Sequence, residues 1–215
     1  MMNQVQADKY NIAWFRLAEC ISRKEKERAL GVYRLLSHSF DNAAIGFQLE
    51  GDILCAFNDI DGAIKLYEKA AQIYQDRNQY MQAVAVYDHL FTLQDNHIYI
   101  EKIIELYAQL KDQKRMFRYV KHLCHLLLRK QAVQEMLALL DRFDMQMAQK
   151  ALLLVDITFV ALRDDLIESQ IKLQLVQQTL NRLMYDAHVL RQFLAQLKVV
   201  DEHAYAMACA YVQGE

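Results

Sequence analysis

Apolar residues recur along this chain at steps of three and four, interrupted about every 11–20 residues by short polar stretches. Ala63, Leu66, Tyr67, Ala70, Ala71 and Tyr74 form one stripe, and Ala83, Val84, Val86, Tyr87, Leu90 and Phe91 form another. That step is the period of one helix face, so each stripe predicts an amphipathic helix. Polar breaks at Arg23 to Arg28, Asn58 to Gly62, Asp76 to Asn78, Gln94 to Asn96, Lys111 to Asp112 and Arg142 to Asp144 help divide the chain into about twelve helices. The first is expected from about Asp8 to Ser22, the second from about Glu25 to His38, and the fourth ends near Gln75. Asp41 or Asn42 caps the third, which runs through Phe57, because either side chain accepts a bond from an unpaired N–H of the first turn. Connections this short set successive helices side by side as hairpins, and single-stripe hairpins must stack to bury their apolar faces.

The segment Arg28-Ala29-Leu30-Gly31-Val32-Tyr33 returns in outline as Gly62-Ala63-Ile64-Lys65-Leu66-Tyr67, with the alanines 34 residues apart. A fixed offset of about that length marks a helical repeat. Ala63, Tyr67 and Ala70 supply small, aromatic and small positions in the second helix of a unit, while Ala29 and Tyr33 supply two of the three, with Leu36 at the last. Phe47 and Gly51 supply the aromatic and glycine of a first helix, and Ala85 lies one period after Gly51. On these residues the stretch from about Asn11 to Leu110 resembles the tetratricopeptide repeat family of helix–turn–helix units. Glu50 stands where the family usually has leucine and Leu17 where the glycine belongs, and the closing proline is missing throughout.

The resemblance implies an all-α, right-handed α-solenoid of antiparallel helix pairs. Residues 1–145 would hold the repeats, and 146–215 degenerate pairs, a cap or dimerisation helices. It also implies a concave groove lined by the first helix of each pair and binding a peptide or helix of a partner. Carried over by position, the groove takes Asn11, Trp14, Ala18, Gln48, Asp52, Gln79, Gln82, Val86 and His89. The Lys, Asn and Arg of a chaperone-type carboxylate clamp are not matched there, so that ligand class is not expected. Gln and Asn suit hydrogen bonds to a peptide backbone, and Trp14 suits an apolar anchor.

Between Leu166 and Leu197 the residues Leu166, Leu173, Val176, Leu180, Leu183, Ala187, Leu190, Leu194 and Leu197 follow steps of three and four, broken only at Ser169. Such a seam fits a coiled coil that makes a homodimer. Ile171, Leu175, Val189 and Phe193 widen it, and Asp186 is placed to start a new helix, which fits two packed helices closing the stack.

Composition narrows the class further. The 215 residues include no proline and five glycines, which argues against β-rich folds, whose turns depend on both. A net charge of −2 gives no general case for nucleic acid or an anionic membrane. Cys20, Cys55, Cys124 and Cys209 are far apart in apolar helices and form no CxxC pair, as expected of free thiols in the cytoplasm. The first residues lack the apolar core of a secretory signal, and the most apolar stretch, Ala151 to Leu162, is too short to span a bilayer.

One segment stands out against this neutral balance. Lys111, Lys114, Arg115, Arg118, Lys121, His122, His125 and Arg129 recur at helical spacing, with Asp112 the only acid from Lys111 to Lys130. The pattern builds a basic helix face, either solvated or facing an acidic partner. His122 and His125 share a helix face, but two ligands fall short of a metal site, so no metal or cofactor is expected. Nucleophile motifs and phosphate loops are lacking. Asp52, Asp88 and Asp156 lie in apolar helices, where a bond to a neighbouring Tyr or His is the simplest role. The expectation is a non-enzymatic protein–protein interaction scaffold or, alternatively, a self-associating adaptor or secretion-type chaperone using the C-terminal helices.

Overall fold

Twelve helices and no strand make up the described part of the chain. The structure is a computed structural model and describes residues 4–143 and 145–213, with side chains from residue 12 onward. The helices are α1 Gln4–Ser22, α2 Lys26–Ser37, α3 Ala43–Ala56, α4 Ile60–Asp76, α5 Tyr80–Leu93, α6 His97–Gln109, α7 Gln113–Arg129, α8 Val133–Arg142, α9 Met147–Arg163, α10 Ser169–Leu183, α11 Ala187–Val200 and α12 Glu202–Gln213. Asn42 caps α3 by accepting from the Ala44 N–H at 3.0 Å, and Asp186 caps α11 by accepting from His188 and Val189. The chain divides into two compact units, Met1–Asp112 with α1 to α6 and Gln113–Glu215 with α7 to α12.

Five of the turns between helices share one backbone solution. Lys24, Asn58, Asn78, Lys111 and Gln131 all adopt a left-handed φ between 56° and 60°. At each, that residue's N–H bonds the carbonyl three residues back, and the next N–H bonds the carbonyl five back. Around Asn58 these bonds run to Cys55 and Leu54, both at 2.9 Å. This closure satisfies two carbonyls that a helix end leaves open. Glycine is the usual occupant because the left-handed region costs other residues about 1–2 kcal/mol. Here Lys fills two of the places, Asn two and Gln one, and of these only asparagine enters the region readily. Lys24 and Asn58 are 34 residues apart, in step with the Ala29/Ala63 echo.

In the first unit each helix packs on the next in sequence. Leu17, Ala29, Tyr33, Leu36 and Ile53 form the core shared by α1, α2 and α3. Ala29, Ala63, Ala70, Ala71 and Ala83 have no exposed surface, so small residues hold the helix backbones close. Gly51 takes this to its limit: a Cβ there would lie 2.9 Å from the Tyr67 ring. The α2 and α4 starts are tied together by Lys26 Nζ, which donates to Asp59 Oδ2 at 2.7 Å.

Helices α3 and α5 are also linked at both ends. Their N-caps meet where Asn42 donates to Gln79 Oε1 at 3.3 Å, and farther along Asp52 and His89 both touch Tyr67. Both matches carry an offset of 37, not 34. Helix α4 is longer than α2, 17 residues against 12, which accounts for the added step even though the turn after it is shorter.

In the second unit α7 packs on α9, α9 on both α10 and α11, and α10 on α12. Val176, Leu180, Leu183, Phe193 and Leu197 join Phe159, Ala204 and Ala208 in one core. The C-terminal run of leucines is thus two helices broken at residues 184–186, and its buried positions pack inside the unit. Leu166, the first of that run, is 84% exposed in the turn before α10. The Thr158 and Thr179 hydroxyls pair in this core at 2.8 Å, and Thr158 also lies 3.4 Å from the Leu175 carbonyl.

Two glycine replacements separate steric fit from helix propensity. Gly31 lies inside α2 with nothing within 4 Å of an added Cβ, so Gly31→Ala should raise stability by about 0.5–1 kcal/mol. Gly51→Ala should lower it by about 1–3 kcal/mol, because the buried Tyr67 ring must move. Urea denaturation of both variants reads the two signs directly.

Candidate partner-binding surfaces

Buried tyrosines fix the polar residues of the first unit from behind. Tyr67 donates to Asp52 Oδ1 at 2.5 Å, and Tyr74 donates to Gln48 Oε1 at 2.6 Å. Tyr33 donates to the Gly46 carbonyl at 3.0 Å, and Tyr99 donates to Glu68 Oε1 at 2.9 Å. Gln75 donates to the Tyr87 hydroxyl at 2.7 Å. Gln48 and Asp52 therefore hold the helices together as well as facing outward, so truncating them would orphan a phenol in the core.

The 37-residue alignment sets two matching rows of side chains. On α3 they are Ile45, Gln48 and Asp52; on α5 they are Gln82, Ala85 and His89. All are exposed except Gln48, which is half-buried. The His89 ring stands edge-on to Tyr67 at 4.8 Å, so it is held in place while remaining open to solvent. Val86 is only 2% exposed and packs in the core; an offset of 34 sets it opposite Asp52, whereas the structure sets His89 there. Ile45 and Ala85 complete the rows; Ala85, one 34-residue period after the buried Gly51, is itself exposed. Gln79 is half-buried at the start of α5. Trp14 and Ala18 are exposed on α1, with the Trp14 ring 6.5 Å from Phe40. Asn11 falls outside the residues whose side chains are described.

The second unit presents the basic segment. On α7, Met116, Val120, Leu123, Cys124, Leu127 and Leu128 are buried, which turns Lys114, Arg115, Arg118, Lys121, His122 and Arg129 outward. Lys111 is not on this helix and occupies the left-handed position of the turn before it. Arg118, Lys121, His122, His125, Leu126 and Arg129 line a shallow depression of about 400 Å³. Asp156 of α9 answers the stripe at its middle: Lys121 Nζ donates to Asp156 Oδ2 at 2.9 Å, and His125 Nε2 lies 3.2 Å from the same oxygen. Arg118 lies over the Tyr119 ring at 5.5 Å.

Apolar surface is concentrated elsewhere in the second unit. Met147, Leu152, Leu183, Tyr185 and Val189 line an open depression of about 390 Å³ formed by α9, α10 and α11. Tyr185 is 92% exposed at the turn between α10 and α11. All four cysteines are free thiols. Among the described residues, no helix is long and apolar enough to cross a membrane. No protein-family model matches the chain, and no curated protein matches it.

The buried phenols set an alkaline limit. Burial, then the charge of Glu50, pushes Tyr33 up to about 12, and burial, then the bond to Glu68, does the same for Tyr99. Burial and the bond to Asp52 raise Tyr67 as well. Burial also lifts the Cys124 thiol to about 12. An unfolded thiol ionises near 8.5 and an unfolded phenol near 10, so above those values the folded chain binds more protons than the unfolded one. Stability must then fall as pH rises. Urea midpoints should decline from about pH 8.5 and more steeply above about 10, and Tyr99→Phe should flatten the upper part.

Proposed function

We propose that this protein is a non-enzymatic scaffold of tetratricopeptide-like helical hairpins that binds an extended segment of another protein. The observation that carries the reading is the pair of matching rows, Ile45, Gln48 and Asp52 beside Gln82, Ala85 and His89. Such rows offer four polar side chains, one apolar and one small, to a peptide laid across two helices, with the amides suited to its backbone. Antiparallel pairing of α3 with α4 is supported by the crossed contacts Asp52–Tyr67 and Gln48–Tyr74. A right-handed α-solenoid is the arrangement that the family resemblance adds. Four free thiols support residence in the reducing cytoplasm.

The test is affinity capture on the full chain, comparing wild type with the paired Gln82→Ala, Ala85→Arg variant. Both positions are exposed, so the melting temperature should be unchanged while a specifically captured protein is lost, with its titrated affinity reduced about ten-fold or more. Equal affinity for the variant would overturn the assignment.

A second reading, self-association through the C-terminal helices, is favoured by the exposed apolar depression at Met147, Leu152 and Tyr185. Sedimentation of the wild type and of Leu152→Glu, Tyr185→Glu decides it. This reading expects a dimer that the substitutions dissociate, and a monomer in both samples rejects it.

A further inference from the structure

The stripe on α7 differs from the α3/α5 rows in its charge and in the unit that carries it. Exposed Lys114 and Arg118 on one side and Arg129 on the other flank the shared Asp156 contact, and Leu126 gives the depression an apolar element. A carboxylate oxygen only accepts, so in this contact His125 is the donor, through Nε2 to Asp156.

We propose that this face of α7 holds an acidic segment of a partner protein, with an apolar residue against Leu126, and that Asp156 occupies the place of one partner carboxylate. The proposal rests on the reading of the chain as a scaffold but uses a different helix, so each can fail alone. Lys121 and Asp156 are both roughly half exposed, at 46% and 41%. Exposed pairs of this kind stabilise a fold by only about 0–1 kcal/mol, so exchanging Asp156 for an incoming carboxylate loses little. The gain comes from the flanking cations. From Lys114 to Arg129 the helix rises about 22 Å, the reach of about seven residues of an extended chain.

Nucleic acid fits this face less well. Phe117 and Tyr119, the aromatic residues of this segment, are half-buried, with Arg118 over the Tyr119 ring. A base therefore finds no open ring on which to stack at either residue.

Fluorescence anisotropy of the full chain with a labelled peptide of Glu-Leu-Glu blocks tests the idea, with the same peptide carrying Gln for Glu as control. The Glu peptide should bind far more tightly than the Gln control, and its binding should weaken as salt is added. Arg118→Glu with Arg129→Glu should weaken it about ten-fold or more. Asp156→Asn, which releases Lys121 and His125, should tighten it about three-fold or more. Ala85→Arg should leave it unchanged, which separates this face from the α3/α5 rows. Circular dichroism melts of every variant confirm that each remains folded. Unchanged or weaker binding by Asp156→Asn overturns the placeholder role. Tighter binding of oligothymidylate or of phosphatidylserine vesicles than of the Glu peptide overturns the partner class.

Discussion

Tyr67 is the contact on which the first unit depends. Its ring lies so close to Gly51 that no side chain fits between them, and its hydroxyl is held by Asp52. The edge of His89 meets the same ring, so one residue of α4 fixes its distance to α3 and its contact with α5. Close approach is feasible here because Gly51, Ala63 and Ala70 present almost no bulk. The polar tip of the phenol then demands a partner, and that demand places Asp52. Packing and hydrogen bonding therefore act on the same few atoms, and the order of the surrounding surface follows from them.

The helices were legible in the sequence because their apolar period is unbroken, and the echo of Ala29/Tyr33 in Ala63/Tyr67 marks residues that are all buried. Asn42 and Asp186 were legible as caps for a chemical reason, since a short acceptor side chain reaches the first N–H groups. The extent of α4 was legible in its polar break, which ends the helix near Gln75, but the family spacing alone misses its effect: an offset of 34 sets Val86 opposite Asp52, where the structure sets His89. Nor did residue type reveal the left-handed turns: Lys24, Lys111 and Gln131 do what glycine usually does, because two backbone bonds at each turn outweigh the local penalty.

The two units use acidic groups differently. In the first, Asp52 and Glu68 accept from buried phenols, so the carboxylate is part of the core's wiring even where it meets solvent. In the second, Asp156 answers cations on a partly open helix face, where its removal leaves the hydrophobic side of α7 untouched. A carboxylate tied to a buried hydroxyl is constrained by folding. One tied to an exposed ammonium is free to exchange partners.

Trp14 is the chain's single tryptophan, and it lies in the first unit with its ring near Phe40. Its emission therefore follows the environment of α1 and the segment between α2 and α3, while the second unit contributes no indole signal. Far-ultraviolet dichroism, by contrast, sums helices from both units. The protein thus carries a built-in optical label for half of itself, and the separation between its fluorescence and dichroism transitions measures how cooperatively the two halves melt.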